Sequence, residues 1–183
     1  MARVIGIETG TLTTSHLVLD VTDPAAGAAR IAVAERHRQT GRIGLGYVHG
    51  FGLARGAIAS TVAHDAHNCM IVGAAGPSGP AEMAVAVARL AELGGGQVAV
   101  LDGRVIAEVP LPIGGLMSDR PAAEVAAAVQ RLEDITATEL GVSIQAPFMH
   151  LSFLGLSVIP ELRITDRGLV DVDKFALTSV TPA

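Results

Sequence analysis

Short apolar segments rich in β-branched residues fill the first half of the chain, and Gly, Asp-Pro or Asn interrupts them every 8 to 12 residues. This rhythm predicts strands. Residues 4–7, 17–21, 29–35 and 42–48 are the first four, with turns around Asp23, Pro24 and Gly27 and at Thr40 and Gly41. The three glycines of 50–56 (GFGLARG) suit a loop or a close backbone approach rather than an element interior. Residues 56–63 are small, apolar and weakly β-prone, and 69–73 (CMIVG) reads as a buried strand.

Helical spacing begins later. Met83, Val87, Leu90 and Ala91 recur at intervals of three or four after Pro80, with Ser78 and Gly79 ahead as caps and 94–96 (GGG) as the stop. Asp102-Gly103, between apolar runs 97–101 and 104–109, is a strong hairpin signal. Two prolines and a Gly pair exclude regular structure from 110–119. A second helix is predicted from about Pro121 to Leu140, with Val125, Val129, Leu132 and Ile135 on one face and Gly141 as its C-cap. Beyond it, Pro147, Pro160 and Gly168 divide short apolar runs into loops and edge strands. Two long helices among eight to ten strands define an α+β fold with a mixed or mainly antiparallel sheet, the helices covering one face. No internal repeat, low-complexity linker or heptad pattern stands out.

Composition adds a partner to this picture. The 183 residues are 50% hydrophobic, only 17% charged and 3% aromatic, and mean hydropathy is +0.48. Charged residues usually make up ~25%, so more of the surface than usual is apolar or covered. The net charge of −5 and the absence of any polybasic run argue against nucleic acid and against an anionic membrane surface. No apolar stretch approaches the ~20 residues of a membrane span, and the N-terminus lacks a signal-peptide profile. The single cysteine, Cys69, excludes an internal disulfide. These features fit a cytoplasmic protein.

The densest polar cluster is His64-Asp65-Ala66-His67-Asn68. Two imidazoles three apart beside a carboxylate can offer a metal ligand set (His64, Asp65, His67) or a general base with its orienting acid. Equally, Asp65 and Asn68 can close a strand-to-strand turn, the histidines being ordinary loop residues; this reading carries more weight, because no third ligand is identifiable. Glu35-Arg36-His37, ending an apolar strand, is a second candidate. A buried Glu35 or Arg36 demands a partner, whereas a place at a strand end leaves both in solvent. Ser118 and Asp119 read as N-caps for the second helix, and Cys69 as a small core residue. No phosphate-binding or nucleophile-elbow motif is present.

Taken in order, residues 35–37 (ERH), 50–53 (GFGL), 56–60 (GAIAS), 62–68 (VAHDAHN), 111–118 (LPIGGLMS), 147–149 (PFM), 151–154 (LSFL), 158–162 (VIPEL) and 165–175 (TDRGLVDVDKF) closely resemble the C-terminal domain of bacterial adenine deaminases, in the amidohydrolase superfamily. The likeness runs from about Arg3 to Val180. It implies one domain of this kind over 1–183. His49 stands where that family commonly has lysine, and His150 where threonine is usual.

The resemblance further implies an activity, the hydrolysis of adenine to hypoxanthine and ammonia, at a manganese, iron or zinc centre in a (β/α)8 barrel. A barrel needs ~250 residues and the His-x-His strand motif of its metal site is missing, so this chain is expected to lack the main catalytic machinery. On that view it works beside a barrel domain or subunit, as packing or as a wall of the site where the metal activates water. His64, Asp65, His67, Asn68, Glu35, Arg36, His37 and Ser118 are then ligand-site candidates, adenine or a related small molecule the ligand, and a homo-oligomer the expected assembly. The early strand after Met1 favours a separately encoded or trimmed chain. The alternative is a free-standing module holding a small molecule or a divalent metal at the His64 to Asn68 cluster. An independent hydrolase using only these histidines is a third option.

Overall fold

In the computed structural model, which describes residues 1–182, the first eight strands join into one sheet. They are β1 (Ala2–Ile7), β2 (Thr14–Leu19), β3 (Ala28–Ala34), β4 (Ile43–His49), β5 (Ala57–Ser60), β6 (Cys69–Gly73), β7 (Gly96–Leu101) and β8 (Arg104–Pro110), in the spatial order β2-β1-β4-β3-β6-β5-β7-β8. Every pairing is antiparallel except β1 with β4, where Ile5 lies opposite Val48 in parallel register. The β7–β8 hairpin turns at Asp102 and Gly103, both at positive φ (51° and 71°), as an Asp-Gly turn of this type requires. Helices α1 (Gly79–Leu93) and α2 (Ala122–Leu140) bracket that hairpin. A short α3 (Pro147–Phe153) follows, then a three-stranded sheet of β9 (Leu162–Thr165), β10 (Gly168–Asp171) and β11 (Ala176–Thr178).

The α+β class and both long helices agree with the sequence pattern, but the helices do not share one face. Strands β5, β6 and β7 are apolar on both sides. Ala59, Cys69, Ile71, Val98 and Val100 pack with Ala86 and Leu90 of α1, while Ile58, Met70, Val72 and Ala99 pack with Leu132 and Leu140 of α2 and with Leu151 and Ile164. Alternate residues of a strand point to opposite faces, so a strand apolar throughout needs a cover on each side. The one-sided arrangement is therefore corrected: α1 covers one face, and α2, α3 and the small sheet cover the other.

Strand β4 reverses the usual alternation. Gly44, Gly46 and Val48 are buried, whereas Ile43 and Leu45 are 58% and 63% exposed. The cause is the small sheet lying against β4. A Cβ on Gly44 would run into the Thr165 carbonyl and stand 2.9 Å from Gly168 N, and one on Gly46 would press Leu169 at 3.0 Å. Only glycine leaves room for that approach, which turns the large side chains of β4 outward.

The loops under the small sheet are gathered by Arg163, 1% exposed. It has no carboxylate partner among the described residues; its guanidinium donates to the carbonyls of Ile159, Phe153, Leu12 and Pro160. Burial pulls its pKa down to about 10, so it stays charged at neutral pH and holds four backbone carbonyls together, of which those of Phe153 and Pro160 also accept from the N–H groups of Leu156 and Thr14.

Candidate functional site

Four loops meet at one end of the eight-stranded sheet: 35–42 between β3 and β4, 61–68 between β5 and β6, 94–95 between α1 and β7, and 111–121 between β8 and α2. Three of the sequence motifs, ERH, VAHDAHN and LPIGGLMS, lie on them. Arg36 ties these three together. Its Nε donates to the His67 carbonyl at 2.6 Å and an Nη donates to the Gly114 carbonyl at 2.8 Å. The guanidinium lies against Gly115, where φ is +75° and a Cβ would stand 2.8 Å from an Nη, so glycine is required on both counts. Buried Thr61 extends the tie, donating to the Gly115 carbonyl at 2.6 Å and accepting from the Gly96 N–H at 2.8 Å. Among the described residues no carboxylate pairs with Arg36. A cavity of about 410 Å³ opens beside it, lined in part by Glu35, Gln39, Thr61, Leu90 and Gly95.

Glu35 faces its own loop. Its carboxylate accepts from the backbone N–H groups of His37, Arg38 and Thr40 and from the Thr40 hydroxyl at 2.8 Å. The Thr40 N–H, with the Thr40 hydroxyl and the other two amides, holds its pKa at about 2. Glu35 is thus a fixed anion that closes the turn and shapes the platform for Arg36. His37, exposed, donates through Nε2 to the Ala66 carbonyl at 2.7 Å and latches the 35–42 loop to the 61–68 loop.

Within the histidine cluster, His67 takes positive φ (48°) and its Nδ1 accepts from the Ala63 N–H at 3.2 Å. An accepting Nδ1 places the proton of the neutral ring on Nε2. Burial, then the charges of His64 and Arg36, pulls the His67 pKa below its ordinary value, so the ring is neutral at pH 7. His64 packs edge-on against Phe153 with centroids 4.6 Å apart, and its ring lies 6.1 Å from that of His67. Asp65 is exposed. Asn68, 6% exposed, reaches Asp166 at 3.5 Å through Nδ2, and its Oδ1 has no partner beside a cavity of about 20 Å³. Asp166 in turn accepts from Arg42 Nε at 2.7 Å.

Several expectations change here. His64, Asp65 and His67 do not converge as a ligand set: among the described residues no group of three or more His, Cys, Asp and Glu side chains could hold a metal ion. Nor do Asp65 and Asn68 close the turn through side-chain to backbone bonds: Asn68 reaches the Asp166 side chain, and the lone pair engaged within the loop is that of His67 Nδ1. Ser118 does not cap α2, whose N-cap is Pro121 with no side-chain cap bond; its hydroxyl instead accepts from the Arg120 N–H at 3.1 Å. Neither does Ser118 hydrogen-bond to the Arg36 cluster. Thr61 and the Gly114–Gly115 backbone, central to the tie, are absent from the site candidates; the Gly pair within LPIGGLMS and a threonine between a small apolar strand and the polar cluster are the signals that mark them. Cys69 is buried, and burial pushes its thiol up to about 12.

Comparison with known proteins matches the sequence to one family. The family model described as the adenine deaminase C-terminal domain covers residues 8–176. Adenine deaminase of Cereibacter sphaeroides (strain KD131) is 50% identical over 182 residues, 95% of this chain and 31% of that protein. Those of Brucella melitensis biotype 1 and Desulfatibacillum aliphaticivorans are 48% and 47% identical over 94% and 98% of this chain, but 30% and 32% of their own lengths. The chain spans about a third of the length of the curated relatives it matches. The family model spans most of the chain, and the relatives it shares that length with are close to half identical, so the chain belongs to the adenine deaminase C-terminal domain family.

Proposed function

We propose that this chain is the C-terminal part of an adenine deaminase, which hydrolyses adenine to hypoxanthine and ammonia, and that its Arg36-centred loops form a wall of the substrate site beside a metal-bearing (β/α)8 barrel. The observation that carries this reading is the convergence of three polar motifs on one sheet end in a chain with only 17% charged residues. Relatives of about 50% identity bear the name adenine deaminase, and this chain corresponds to under a third of the first of them. Its strands are committed to two open sheets, so the barrel is supplied by another segment or subunit.

The metals that such a barrel carries have no ligand set among the described residues of this chain. The chain's own groups bind and orient. Neutral His67 presents an Nε2–H donor, exposed Asp65 an acceptor, and Arg36 the positive charge that keeps both loops in register. A purine carries ring nitrogens that accept and an amino group that donates, which such a wall can match. The polar rim also limits water around the reacting carbon once the two parts close. A single buried cysteine is in keeping with a reducing cytoplasm. Self-association, in this reading, belongs to the assembled enzyme.

The test measures ammonia release from adenine by a barrel-containing portion with and without this chain. The isolated chain releases none, and the combination is active. Replacing His64 and His67 by Ala in the combination lowers kcat/KM by about tenfold or more, which is ~1.4 kcal/mol of transition-state binding. Unchanged activity in that variant removes the wall role, and turnover by the homogeneous chain alone refutes the division of labour.

A further inference from the structure

The outward face of β4 is the feature that the site leaves unexplained. Ile43 and Leu45 project from it beside Tyr47, on the same side of the sheet as α1 and next to Met83 and Val87. Together they line a groove of about 520 Å³. A half-solvated antiparallel strand ordinarily presents polar residues to water and apolar ones to the core. Here the order is inverted, glycines inside and large aliphatics outside. The charged residue in the groove, Arg30, is turned to the carbonyls of Ala74, Ala75 and Gly76 at its rim, which leaves the centre apolar, as in the buried middle of an interface.

We infer that this groove is the seat of the catalytic portion of the enzyme, docked against β4 and α1; the inference rests on the functional reading above and names the surface that joins the two parts. Two observations select this occupant. First, about two thirds of each relative's length lies outside the part this domain matches, and a domain fused to another shares an interface of ~600–1,500 Å² with it. Second, the groove is continuous with the site: Ala34 and Val87 line both it and the cavity beside Arg36. A body seated on Ile43 and Leu45 is thereby brought over the Arg36 loops, where a wall of a shared site must face. Exposed aliphatics on β4 and polar loops at its end are then two halves of one contact.

Thiol labelling tests the contact, because native Cys69 is buried and its thiol is pushed up to about 12, leaving it silent. Leu45→Cys is compared with Val18→Cys on β2, which is 44% exposed, by mass-spectrometric peptide mapping after maleimide treatment. Both are labelled in the isolated chain and again after this chain replaces the corresponding C-terminal third of the Cereibacter sphaeroides enzyme. The expected result is labelling at position 45 slowed by about tenfold or more in the fusion, with position 18 unchanged. Where the fusion does not fold, a cysteine placed at the aligned position of the full-length Cereibacter enzyme reads the same quantity. Equal labelling of both positions in the folded fusion overturns the inference. So does protection of position 45 in the isolated chain that grows with its concentration, which assigns the face to a second copy. Ammonia release by the same fusion reads the functional proposal separately: an active fusion with position 45 freely labelled refutes the docking face alone, and an inactive one with position 45 protected refutes the function alone.

Discussion

Replacing Arg36 by Met removes two charge-assisted hydrogen bonds while keeping the length of the side chain. The His67 carbonyl, 2.6 Å from Nε, lies in a half-buried loop, and the Gly114 carbonyl, 2.8 Å from Nη, is at an exposed residue. Hydrogen bonds to charged groups contribute ~1.5–3 kcal/mol each, and an acceptor open to water recovers most of its loss. The first bond therefore counts nearly in full and the second in small part, giving about 2–4 kcal/mol for Arg36→Met. For a domain of this size each kcal/mol moves the midpoint by ~2–4 °C, so Tm should fall by roughly 4–15 °C. Differential scanning calorimetry measures the drop, and hydrogen exchange localises it to residues 61–68 and 112–117. Arg36→Lys, with one point donor in place of a fork, should fall between the two. A Tm for Arg36→Met within about 1 °C of the parent, with no faster exchange in either loop, would refute the tie and with it the platform on which the proposed wall stands.

Arg163→Met takes the guanidinium donors from four part-buried carbonyls, those of Phe153 and Pro160 keeping one backbone donor each, while removing a buried charge; a net loss of about 2–4 kcal/mol, read by urea unfolding, is expected, and a loss below ~0.5 kcal/mol would contradict the staple. Stability should decline in two stages on acidification. The His67 pKa is lower folded than unfolded, so the unfolded chain binds more protons as pH drops below the ordinary histidine value of ~6.5, and stability present above it is progressively lost. Glu35, at about 2 against an ordinary 4.5, adds stability that is complete above 4.5 and disappears as pH falls toward 2. His67→Asn, which tolerates the same positive φ, should shrink the first stage, leaving the part that His150, also lowered by burial, contributes, and should not change the second; an unaltered curve would disprove the assignment. Cys69 should resist maleimide at pH 8 until the protein unfolds, and rapid modification of the native protein would show its burial to be wrong.

The elements legible in the sequence are those whose signal is local. Asp102-Gly103 names its turn through the φ each residue tolerates, and Gly94 and Gly141 end their helices at φ of 75° and 74° as C-caps. What depends on distant neighbours was harder to see. The first hairpin's second strand, expected at 17–21, runs Thr14–Leu19, because Thr14 is claimed by the carbonyls of Pro160 and Leu162 far along the chain. The prolines of the last third read as boundaries between loops and edge strands, yet Pro147 begins α3, where a proline in the first turn lacks only an N–H that the helix does not use. The polar motifs were found individually, since charge is scarce in this chain. Their assembly through Arg36 was not, because its acceptors are backbone carbonyls, which every residue possesses and no sequence pattern marks.

The staple at Arg163 also has a kinetic consequence. It links the loop at Leu12 to residues 151 positions later in the chain, and Thr14 exchanges backbone hydrogen bonds with Pro160 and Glu161 across a similar span. Contacts of such separation form late, after a large loop has closed. During synthesis β1 can pair with β4 early, but the loop at Leu12 and the start of β2 must wait until residues 160–163 have left the ribosome. Shortened chains ending before residue 163 should thus depend on chaperones far more than the full-length product does.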